Sequence, residues 1–111
     1  MPPDTQEGGA KPRSRRRVAG GMPGSEKGFM ATVIALARLR GFAVYHTHDS
    51  RHSAAGFPDL VLCRGPRALF VELKLDGGRP TPAQALWLAR LRAAGQTALV
   101  WTPRMWDQIQ E

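Results

Sequence analysis

Asp59, Glu72 and Lys74 have the residue types and the spacing for metal-assisted hydrolysis. They stand in Gly56-Phe57-Pro58-Asp59 and in Glu72-Leu73-Lys74, one hairpin apart. Strand side chains alternate between faces, so Glu72 and Lys74 share a side. The stretch between reads as a strand over Asp59–Arg64, a Gly65-Pro66 turn, and a strand over Arg67–Lys74. A two-residue loop pairs Arg64 with Arg67, and the same register sets Asp59 opposite Glu72. Opposed residues have Cβ atoms about 4.5–5.5 Å apart, where like charges repel. Two carboxylates held face to face call for a cation between them. Hard cations such as Mg²⁺ or Mn²⁺ take oxygen ligands, and one or two carboxylates with waters and a substrate phosphate suffice. The backbone carbonyl of Leu73 is a further candidate ligand. Lys74 is placed to orient or deprotonate a water, or to offset charge building on a phosphate. Glu-x-Lys alone is common and ordinarily means a surface ion pair. Here Leu69, Phe70, Val71 and Leu73 surround it, which marks a covered central strand.

The elements that must position these groups follow from the pattern on either side. Ser25 is a good N-cap, and Phe29, Met30, Val33, Leu36, Ala37 and Leu39 recur at helical spacing until Gly41. Phe42–His46 reads as a first strand, followed by a polar loop over His46–Gly56. After the hairpin, Asp76-Gly77-Gly78-Arg79-Pro80 is a turn. Thr81-Pro82-Ala83-Gln84 opens a second helix with a capping-box pattern and proline at its first position. Thr97–Trp101 is a fourth strand, and Pro103–Gln110 a short closing helix or turn. The order is αβββαβ, an α/β fold with a mixed central sheet flanked by helices.

Two further residues have both an ordinary and a functional reading. Glu26 shares a helical face with Phe29, Met30 and Val33, so it is expected to point inward, where it would complete the metal site. Its ordinary reading is an acid favoured by the helix dipole. Gln84 occupies the third helical position, where Gln closes a capping box. His46, His48 and His52 match no zinc-site spacing, and no cysteine joins them. Phosphate contact suits His46, Ser50, Arg51 and Ser53 better. Trp87, Trp101 and Trp106 are expected in the core or at an interface, and Cys63 as a small buried hydrophobe within a strand.

Composition sets the outer limits. The 111 residues suffice for one domain, and no apolar run approaches the ~18 residues that span a membrane. No secretory leader opens the chain, so a cytosolic location is expected. Sixteen Lys and Arg against nine Asp and Glu give a net charge of +7. A basic shell around an acidic centre suits a polyanionic substrate. Residues 1–24 lack hydrophobic periodicity and read as a disordered basic arm preceding a domain over 25–111. Within it Arg13, Arg15, Arg16 and Arg17 could grip phosphates or merely solubilise the chain.

These motifs together resemble the VRR-NUC domain. The likeness is carried by Gly56-Phe57-Pro58-Asp59-Leu60-Val61-Leu62, Phe70-Val71-Glu72-Leu73-Lys74 and Thr81-Pro82-Ala83-Gln84-Ala85-Leu86-Trp87-Leu88. Glu26, Val33, Ala37 and Gly41, then Tyr45-His46-Thr47 and Ser50, extend it. Leu91-Arg92-Ala93-Ala94-Gly95 and Val100-Trp101-Thr102-Pro103 carry it to the end, so it spans residues 25–106 and leaves the arm outside. The resemblance implies the restriction-endonuclease-like core of the PD-(D/E)xK superfamily and Mg²⁺- or Mn²⁺-dependent cleavage of DNA. It implies Asp59 and Glu72 as metal ligands, Lys74 as the catalytic lysine, Glu26 as a further acid, and Gln84 as a helix residue near the centre. Small stand-alone members, many from phages and bacteria, are homodimers, and some cut four-way (Holliday) junctions. A junction-resolving homodimer is therefore the leading expectation. A flap, nick or general DNA nuclease, or a DNA-binding module without catalysis, are the alternatives.

Overall fold

The structure, a computed structural model, describes residues 24–47 and 54–110. Arg13, Arg15, Arg16, Arg17, His48, Ser50, Arg51, His52 and Ser53 lie outside the described residues, and so does the expected arm.

Helix α1 (Glu26–Leu39) begins where Ser25 accepts a hydrogen bond from the Gly28 N–H at 3.0 Å. Phe29, Val33 and Ala37, spaced by four, form its buried stripe. Strands β1 (Ala43–His46), β2 (Leu60–Arg64) and β3 (Arg67–Leu73) form an antiparallel meander. Helix α2 (Pro82–Ala93) then returns the chain to β4 (Thr97–Trp101), which pairs parallel to β3. A 3₁₀ turn over Pro103–Met105 and a short helix α3 (Trp106–Ile109) close the chain. The spatial order is β1-β2-β3-β4, so β3 is an interior strand. The αβββαβ order, the mixed sheet and the central place of Glu72 are as expected.

The two faces of the sheet differ. Leu60, Leu62, Leu69, Val71 and Leu73 point to one face and pack with Phe29, Val33 and Ala37 as the principal core. Trp101, Trp106 and Ile109 close over it. Burying a side chain such as Phe29, which has no exposed surface, contributes about 2–3 kcal/mol. The other face takes α2, which packs against β4. Phe57 there stands edge-on to both Phe70 and Trp87, with ring centroids 6.1 and 5.2 Å away.

Four sequence expectations are corrected. Cys63 is exposed, because it pairs with Ala43 and Ala68 on the α2 face while that helix lies over the β4 side. The first strand starts at Ala43 because the Phe42 N–H bonds back to the Ala37 carbonyl, finishing the helix end. Asp59 and Lys74 fall just outside their strands. The Asp59 side chain takes the Leu73 N–H at 2.9 Å, and the Lys74 N–H turns to the Trp101 carbonyl at 3.0 Å. Glu26 is exposed. Helical side chains tilt toward the N-terminus, which carries a first-turn residue past the end of the packed stripe.

The capping box of α2 is complete. Thr81 Oγ1 accepts from the Gln84 N–H at 3.2 Å, and Gln84 Oε1 accepts from the Thr81 N–H at 2.8 Å. Thr81→Ala should lower stability by about 1 kcal/mol, read as a reduced urea midpoint at unchanged m-value.

Candidate metal centre

The hairpin register pairs Arg64 with Arg67 and Leu60 with Val71. Continued by one residue, it brings Asp59 and Glu72 together at the open end of the hairpin. Asp59 is fixed from several sides. Its Oδ2 accepts the Leu73 N–H, and its backbone carbonyl accepts the Thr47 N–H at 2.9 Å. Thr47 Oγ1 also donates to the carbonyl of Pro58 at 2.8 Å, and Pro58 is itself fully buried. Nothing in the sequence marks Thr47 for this role. A hydroxyl just after a strand is too common a signal to single out.

Gly56 determines how the segment enters the site. Its φ is +87°, and a Cβ built there would lie 2.5 Å from the Ala83 carbonyl carbon at the start of α2. The loop therefore lies directly on that helix, and Phe57 drops between Phe70 and Trp87.

Glu72 is the buried charged residue of the described chain, with 2% of its surface exposed. Lys74 Nζ lies 3.6 Å from its Oε2. Its Oε1 is buried with no hydrogen-bond partner among the described residues. Burial, and then the facing Asp59 carboxylate, push the Glu72 carboxyl up from 4.5 to about 7, against the pull of Lys74. An orphaned buried oxygen, two opposed carboxylates and a raised affinity for a positive charge fit a hard divalent cation. In a strand, the N–H and C=O of one residue point the same way. The Leu73 N–H reaches Asp59, so the Leu73 carbonyl faces that side too.

Other candidates lie farther out. No group of three or more His, Cys, Asp or Glu gathers among the described residues, so Glu26 is not drawn in with Asp59 and Glu72. His46 pairs with Leu60, which assigns it to the α1 face, opposite that of Glu72. Gln84 spends its side-chain oxygen on the cap of α2.

The fold has solved counterparts. The 1.6 Å structure of Archaeoglobus fulgidus Hjc, a Holliday junction resolvase from an archaeal hyperthermophile, superposes with a TM-score of 0.52 at 23% identity, covering 68% of this chain and 67% of that one. That likeness assigns the fold. A structure described as a VRR_NUC domain protein matches with a TM-score of 0.59 at 26% identity, covering 70% of this chain and 77% of that chain. Another, described as a VRR_NUC domain, matches with a TM-score of 0.55 at 26% identity, covering 71% and 90%. The VRR-NUC domain family model matches residues 12–104, and the chain belongs to that family. The match starts earlier than residue 25 and takes in Arg13, Arg15, Arg16 and Arg17. No functionally curated protein matches.

Proposed function

We propose that this protein is a metal-dependent DNA endonuclease that selects branched DNA. The observation that carries the metal-dependent chemistry is the orphaned Glu72 Oε1 facing Asp59 beside Lys74. Asp59, Glu72 and the Leu73 carbonyl would hold Mg²⁺ or Mn²⁺, with Glu26 as a more distant acid. Bound there, the cation would polarise the phosphodiester and lower the pKa of its water. Asp59 enters the reaction already oriented, because Leu73 and Thr47 fix its side chain and backbone. Lys74 orients the attacking water or offsets phosphate charge, on the same strand face as Glu72. Gln84, near the start of the helix that Gly56 abuts, would position a phosphate with its amide nitrogen.

Net charge supports DNA as the polyanion, with phosphate contacts by Arg13, Arg15, Arg16, Arg17, His46, Ser50, Arg51 and Ser53. Branch selectivity rests on the fold shared with a junction resolvase. A homodimer suits that reading, since a two-fold axis presents two equivalent centres to two equivalent strands. A flap, nick or general nuclease is the second reading, and the metal centre serves it equally well.

The test is cleavage of a labelled four-way junction beside flap and linear duplex controls, in Mg²⁺, Mn²⁺ or EDTA. Paired, metal-dependent nicks confined to the junction are expected, with activity lost by about 10³-fold or more in Asp59→Ala. Cutting of flaps or linear DNA alone would overturn the junction preference. Binding with no cutting in either metal would overturn the enzymatic reading.

A further inference from the structure

A second site lies at the opposite end of the hairpin and on the opposite face of the sheet. A cavity of about 310 Å³ opens there between the C-terminal half of α1, the α1 face of the strands and α3. Leu36, Leu62, Leu69, Leu99 and Trp101 supply its apolar wall, and Thr97 and Gln108 a polar edge. Arg40, Arg64 and Arg67 also line it. Among the described residues no acid does.

The arginines are arranged by the fold. Arg64 and Arg67 are directly paired across the hairpin, where like charges are unfavourable. Arg64 is held over the Phe42 ring at 4.6 Å, and its Nη1 donates to the Arg40 carbonyl at 2.8 Å. Arg40 in turn donates from Nη1 to the Gln110 carbonyl. Each of those two guanidiniums commits one nitrogen to the protein, and each has five N–H donors in all. The Arg67 guanidinium has no hydrogen-bonding or ionic partner among the described residues.

We infer that this cavity binds a small amphipathic anion, its apolar body against the leucines and Trp101 and its carboxylate or phosphate on Arg40, Arg64 and Arg67. The volume sits at the low end of the roughly 300–1,000 Å³ range of small-ligand sites. Forked guanidiniums favour carboxylate and phosphate. A two-fold axis passing through these arginines would set arginine against arginine, which disfavours a second copy centred there. A duplex backbone is a poor fit, since its polar surface cannot fill an apolar cavity. Arg67 is five residues from Glu72 along β3, about 17 Å at strand rise, so the site is separate from the metal centre and does not depend on the nuclease reading.

Isothermal titration calorimetry on the full chain tests this with octanoate, adenosine monophosphate, inorganic phosphate and octanol. Octanoate, with about ten non-hydrogen atoms, or the larger nucleotide should bind with a Kd of about 1 mM or tighter. Whichever of the two binds identifies the source as aliphatic or nucleotidic. Arg67→Glu should weaken it at least about tenfold, with an unchanged circular dichroism spectrum and an unchanged urea midpoint. Equal binding of phosphate and octanoate would overturn the amphipathic requirement. Octanol binding as well as octanoate, no heat from either organic anion, or an Arg67→Glu titration matching the parent would overturn the site.

Discussion

Glu72→Gln should make the metal-free protein more stable at pH 8 by about 3 kcal/mol while abolishing cleavage. The Glu72 carboxyl is raised from 4.5 to about 7, and each unit is worth 1.36 kcal/mol. A raised carboxyl means the folded chain holds its proton more tightly than the unfolded chain. Folding therefore keeps its full stability below pH 4.5, loses it as pH climbs from 4.5 to about 7, and pays the whole cost above that. Glutamine has nothing to ionise, so the variant's stability should be flat across that window. Chemical denaturation at pH 5, 6, 7 and 8 in EDTA measures both slopes. Added Mg²⁺ should raise the stability of the parent chain at pH 8 and leave the glutamine variant nearly unmoved. Parallel pH slopes in EDTA would remove the buried charge from the account.

Much of this arrangement is legible in the sequence. Asp59, Glu72 and Lys74 could be grouped because a two-residue turn fixes strand register, and register is a matter of counting. The helices were legible from spacing and caps, as at Ser25 and Thr81. Cys63 was misjudged because alternation names two faces without saying how far a covering helix extends over either. Glu26 was misjudged for a related reason: periodicity gives direction around a helix, while burial also depends on where the partner surface ends. Thr47 is not legible because its partners Pro58 and Asp59 stand eleven and twelve positions further along the chain, and no spacing rule spans that.

Gly56→Ala should be more damaging than the same change at any of the described chain's other left-handed glycines, Gly41, Gly65, Gly77 and Gly95. The added carbon would meet the Ala83 carbonyl carbon at 2.5 Å, its oxygen at 2.7 Å and its Cβ at 2.8 Å. Two of these are backbone atoms at the start of a capped helix, which cannot step aside as a flexible side chain would. The φ of +87° is also one that alanine rarely adopts. Strain and overlap together should cost about 3 kcal/mol or more. For a domain of this size that lowers the Tm by roughly 12–20 °C. Differential scanning calorimetry reads it directly. Whatever fraction folds should also cut poorly, because Asp59 follows three residues later and would move with the loop. A Tm within about 3 °C of the parent, the size of a surface substitution's effect, would refute the close approach.

The hydrogen bond from the Leu73 N–H to Asp59 Oδ2 has an evolutionary corollary. An asparagine oxygen could accept the same N–H, and Asp59→Asn would also relieve the repulsion with Glu72. A lineage selected only to fold would gain by that exchange. The aspartate's negative charge thus runs against the interest of the fold, and its presence here suits the proposed cation, which would turn that repulsion into attraction.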